Sequence, residues 1–81
     1  MGVQFVAIAF RRTDEGQLTA DAPIACGTAL EAARRAESLD RINDGAIAFS
    51  AIGDFALDKL SNAKIIRGFG EIPSEIFDQL T

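Results

Sequence analysis

At 81 residues the chain is close to the size at which a single hydrophobic core becomes marginal, so residues 1–81 are read as one domain. A hydrophobic content of 48% with 25% charged residues excludes intrinsic disorder and describes an ordinary globular chain. The net charge of −4, with the acids scattered along the chain, argues against a nucleic-acid partner, because phosphate binding draws on clustered Lys and Arg.

The N-terminal stretch Met1–Phe10 is apolar, but no basic region precedes it and no small-residue cleavage site follows it. It is not read as a signal peptide, and it is too short for a membrane span. Position 6 is Val where a myristoylation signal takes Ser or Thr. With one cysteine no intramolecular disulfide can form, so the expected compartment is the cytoplasm and no membrane partner is expected.

Val3 to Arg12 is the first predicted strand, β-branched and aromatic with both parities apolar. Thr13-Asp14-Glu15-Gly16 then turns the chain, and a clean alternation follows from Gln17 to Ile24, which predicts an edge strand carrying Pro23. A three-residue loop, Asp14-Glu15-Gly16 with Gly16 at positive φ, would close on the pair Thr13 and Gln17. Under that register Phe10 lies beside Ala20, Ile8 beside Ala22 and Val6 beside Ile24, large side chains of one strand against the apolar side of the next.

Thr28 followed by Glu31 is a capping box, and Ala29 to Ile42 is built of good helix formers. Ala29, Ala32, Ala33, Ala36 and Leu39 make one stripe of this helix. Small residues are expected to face large ones, which would set the stripe over Val6, Ile8, Phe10, Ile47, Phe49, Ile65 and Phe69. Asn43-Asp44-Gly45 ends the helix. Gly45 to Gly53 is an almost uncharged run that reads as a strand buried on both faces. Asp54 to Asn62 is expected to be a loop or a single helical turn, Ala63 to Gly70 a fourth strand, and Ser74 the cap of a short C-terminal helix anchored by Ile76, Phe77 and Leu80. The predicted architecture is therefore α+β: β-β-α-β-β, one long helix on a four-stranded sheet, plus the terminal helix.

With no His, Trp or Tyr and one Cys, the usual catalytic triads and the His- or thiolate-ligated metal sites cannot be assembled from this chain, so no cofactor, metal or catalytic residue is assigned. Asp54 and Glu71, each near a strand end, read as solvated turn residues rather than an acid pair. Gly68-Phe69-Gly70 lacks the glycine, basic residue and following helix of a phosphate loop. Cys26 lies just before a helix N-terminus, where a thiol can be activated, but it continues an apolar parity and is read as a packing residue.

The segments Val-Ala-Ile-Ala-Phe-Arg-Arg at 6–12, Gly16-Gln17-Leu18, the Ala-rich helix, Gly-Ala-Ile-Ala-Phe-Ser at 45–50, Gly53-Asp54 and Phe69-Gly70-Glu71-Ile72-Pro73 together resemble short bacterial proteins of unknown function. The likeness spans nearly the whole chain, with a longer Phe55–Asn62 segment than a compact loop would have. It implies a bacterial, cytoplasmic origin and brings no activity or ligand with it.

Two classes of function follow. The first is a non-catalytic interaction module that forms a homodimer or binds another protein. Its interface would be the sheet face left open by the helix: Val3, Phe5, Ala7, Ala9, Ala46, Ala48, Ile52 and Ile66, with Phe5 and Ile52 central. The second is a small-molecule binder, or a subunit supplying one wall of a shared site, with Arg11, Arg67 and Asp54 as polar contacts.

Overall fold

The computed structural model describes residues 3–52, 63–74 and 76. In chain order the elements are β1 (Val3–Arg12), β2 (Leu18–Ala20), β3 (Ile24–Cys26), α1 (Ala29–Asp40), β4 (Gly45–Ile52) and β5 (Ala63–Gly70). They form one helix on an antiparallel sheet ordered β2-β1-β4-β5, with β3 also paired to β1. The fold is α+β.

The first hairpin closes as its turn chemistry requires. Gly16 has φ +86, a region L side chains rarely enter. Thr13 N–H donates to Gln17 O at 2.7 Å and Gly16 N–H to Thr13 O at 2.9 Å. The resulting register sets Phe10 opposite Ala20, Arg11 opposite Thr19 and Arg12 opposite Leu18, and Asp21 N–H extends the ladder to Ala9 O at 2.9 Å.

Beyond Asp21 the expected strand breaks. Proline at 23 has no N–H to give the ladder, and where pairing resumes in β3 the register has moved by one residue: Ala7 opposite Ile24, Val6 opposite Ala25, Phe5 opposite Cys26. The pairs Ile8 with Ala22 and Val6 with Ile24 are therefore not formed. A one-residue slip exchanges faces, so Ile24 and Cys26 share a side with Ala7 and Phe5. The one predicted edge strand is two short ones, and the sheet has five strands rather than four.

Thr28 caps α1 as expected. Its Oγ1 accepts from Glu31 N–H at 3.0 Å, while Glu31 Oε2 accepts from Gly27 N–H at 2.9 Å. The helix stops at Asp40, two residues short of the predicted end. Its last carbonyls are taken up by tighter bonds, Arg41 N–H to Ser38 O at 3.3 Å and Ile42 N–H to Leu39 O at 3.2 Å, and by Asn43 Nδ2–H to Leu39 O at 2.9 Å. Ile42 is left 81% exposed.

Strand β4 lies between β1 and β5 and is buried from Gly45 to Phe49, in keeping with a run apolar on both parities. Val6, Ile8, Phe10, Ile47, Phe49 and Ala51 cluster on one side with Ala63, Ile72, Leu18 and Ile76. Ala7, Ala46 and Ala48 cluster on the other with Ala32 and Ala36 of α1, bordered by Phe5, Cys26, Leu39, Ile66 and Phe69. The helix thus covers the alanine face, not the face of large side chains.

Chain connectivity explains this. Strands β3 and β4 are each antiparallel to β1, hence parallel to one another, and α1 is the crossover between them. The two hands of a parallel crossover put the helix on opposite faces, so handedness chooses the face before side-chain size is consulted. Alanine on both surfaces then lets helix and sheet approach closely.

A second irregularity separates residues expected together. Ala48 pairs with Arg67 but Phe49 with Ile65, leaving Ile66 as an extra residue in β5. This bulge puts Phe69 and Ile66 with the helix-side cluster, while Ile65 stands opposite Phe49 and is 39% exposed.

Candidate functional site

The polar side chains that carry most of the hydrogen bonding gather at one end of the sheet, where β1 ends, β2 and β4 begin and β5 ends. Arg12 N–H donates to Asp44 Oδ2 at 2.6 Å, and its guanidinium reaches Glu71 Oε2 through Nε at 3.1 Å and Nη2 at 2.9 Å. Nη1 donates to Gly16 O. Backbone bonds from Asp44 N to Phe10 O at 3.0 Å and from Glu71 N to Asp44 O at 2.9 Å tie the same three segments together. The glycine pair Gly45 and Gly70 permits this closure. A Cβ on Gly45 would fall on the Glu71 backbone, and Gly70 has φ +62.

These contacts join positions that are far apart in sequence, and each charged group already answers another. Arg11 is held by Asp21 Oδ2 at 3.3 Å and Asn43 Oδ1 at 3.4 Å. Its side chain stays 64% exposed. Arg67 lies over the Phe69 ring, 5.5 Å from its centroid, on the opposite side of the sheet order from β2. The structure does not bring Arg11 and Arg67 into one site. Asp54 lies outside the described residues. Glu71 is the partner of Arg12, a pairing that sequence reading missed because it spans 59 positions; the only local sign was an acid and a base at two strand ends.

Cys26 is half-buried in the helix-side cluster. Burial pushes its thiol up, the Glu31 carboxylate adds to the effect and Arg35 opposes it. The net direction is upward, away from the lowered pKa of an activated thiolate.

Of the residues expected at an open face, Ala7, Ala46 and Ala48 have no exposed surface and Ala9 only 2%. They form one face, as expected, but three of them lie under α1 and Phe5 and Ile66 border the helix contact. The exceptions are at the margin. Val3 and Ile52 are cross-strand neighbours and remain 54% and 56% exposed.

Shallow depressions open to solvent among the described residues. One, of about 370 Å³, runs along α1 beside Leu30, Arg34 and Ser38; another, of about 440 Å³, lies between Arg12, Leu18 and Pro73. Among the described residues no three acidic or cysteine side chains converge as a metal-ligand set, and no helix is long and apolar enough to cross a membrane. Comparison with protein-family models, curated proteins and solved structures finds no match for this chain.

Proposed function

We propose that the protein is a small non-catalytic interaction module that acts as a homodimer. The observation that carries this reading is the pair Val3 and Ile52, adjacent on β1 and β4 and each more than half exposed. Stable interfaces take roughly 800 Å² from each partner, about a sixth of the 5164 Å² surface of this chain. The contact is a two-fold one centred on the Val3–Ile52 end, with half-buried Phe5 next along β1 on the same face, and it would have to draw in neighbouring surface to reach that area. Burial of Ala7, Ala46 and Ala48 removes the broad face from the interface and narrows it to this end.

The face opposite α1 is part of the same reading. Ile76 is 8% exposed within the cluster of large side chains, and its N–H donates to Pro73 O at 3.0 Å. Both support a short C-terminal helix that covers that face within one chain.

Light scattering at micromolar concentration should return twice the 8.6 kDa chain mass, and Ile52→Asp should halve it with the circular dichroism spectrum unchanged. A wild-type chain that stays monomeric at high concentration overturns the homodimer. Small-molecule binding has less support, since Nε and Nη2 of Arg11 are engaged by Asp21 and Asn43 and Arg11 and Arg67 do not share a site.

A further inference from the structure

The two edges of the sheet are built differently. On one side β1 is flanked by β2 and β3, three residues each, with Pro23 between them. That edge is short and interrupted, the usual protection against further pairing. On the other side β5 runs eight residues without proline and, among the described residues, pairs with β4 alone. At about 3.3 Å per residue it offers roughly 26 Å of strand whose outer backbone groups have no sheet partner among the described residues.

The charge on this strand is also unlike that of the chain. Residues 63–70 carry Lys64 and Arg67 and no acid, in a protein of net charge −4. Both side chains are exposed, and neither makes an ion pair with another described residue. Arg67 is steadied by the Phe69 ring beneath it, and Phe69 is packed into the helix-side cluster. On the other face of the strand, opposite Phe49, Ile65 presents an apolar surface, 39% exposed.

We propose that the β5 edge binds an extended acidic segment of another protein by strand addition. Main-chain bonds would supply the pairing, as in other edge-strand recognition. Glutamate or aspartate on the added strand would meet Lys64 and Arg67, with an apolar side chain against Ile65. A second copy of β5 is the wrong occupant, because it would bring the same two cations against their equals. Like charges thus reject self-pairing while opposite charges admit the partner. The bulge at Ile66 interrupts the ladder, so pairing divides into a contact on 63–65 and another on 67–70. The Ala63 end of this edge adjoins the Val3–Ile52 end, since Ala63 pairs with Ala51, and the two readings are told apart by their readouts, chain mass for the dimer and amide protection within 63–70 for the added strand.

The test uses the full chain and two blocked peptides of about ten residues, one alternating Thr and Val with Glu, the other with Lys in place of Glu. Backbone amide shifts and hydrogen exchange are followed by NMR. The acidic peptide should protect amides within 63–70 and bind at least about tenfold more tightly than the basic one. Its affinity should fall as salt rises from about 50 to about 500 mM. The double variant Lys64→Glu, Arg67→Glu should reverse the preference, and Lys64→Gln, Arg67→Gln should erase it. Both substituted positions are exposed, so circular dichroism should be unchanged, and Ile52→Asn, which adds no charge near Lys64, should bind the acidic peptide as wild type does. Equal binding of both peptides, protection elsewhere, or no protection of β5 by either overturns the proposal and leaves Lys64, Arg67 and the bulge as guards of a closed edge.

Discussion

Ala48→Leu tests the placement of the helix directly. Ala48 sits at the centre of β4, opposite Ala7 on β1, and Ala7, Ala32, Ala36, Ala46 and Ala48 all have 0% exposure. The substitution inserts three carbons into a seam where alanine of the sheet meets alanine of the helix, Ala32 and Ala36, whose side chains cannot swing aside. Overpacking of a well-filled core costs about 1–3 kcal/mol. In a domain of this size each kcal/mol moves the melting temperature by roughly 4–8 °C, so a fall of about 5–20 °C is expected. Thermal unfolding followed at the helical circular dichroism band is the assay. Ala25→Leu on β3 is the control, since Ala25 is exposed and surface changes stay within about 0.5 kcal/mol. If Ala48→Leu melts with the wild type and keeps its helical signal, α1 does not lie on the alanine face and the close-approach argument fails.

Gly16→Val should destabilise the first hairpin by about 1 kcal/mol or more, through backbone strain alone, because φ is +86 and no atom stands within 4 Å of the position a Cβ would take. An unchanged melting temperature would reject the turn. For Cys26, a pKa raised by folding means that the folded state holds the proton more tightly than the unfolded one. Its contribution to stability is then present below the unfolded thiol pKa of about 8.5 and is lost as pH rises through the higher folded value. Urea unfolding across that range should show wild type losing stability relative to Cys26→Ala, and alkylation of native protein should lag that of unfolded chain. Parallel pH profiles for the two proteins would contradict the assigned shift.

Local chemistry made several elements legible from residues alone. The turn at Thr13–Gly16 follows from a glycine able to reach positive φ, the helix start from the Thr28 and Glu31 pair, and the doubly buried β4 from an uncharged run between turn residues. Even the grouping of Phe5, Ala7, Ala46 and Ala48 on one face follows from the period-two pleat.

Other features depend on interactions that no local pattern contains. Pro23 announces an edge, but whether the ladder slips past it depends on where β1 offers its next carbonyl, and that slip turned Ile24 and Cys26 to the helix side. The extra residue at Ile66 likewise parted Ile65 from Phe69. Arg12 meets Asp44 and Glu71 across 32 and 59 positions, a pairing created only when three strand ends are brought together. The largest decision, which face the helix takes, belongs to the hand of the β3–α1–β4 crossover. Residue size alone pointed to the opposite face, because periodicity tells which side chains share a surface and carries no information about chirality of connection.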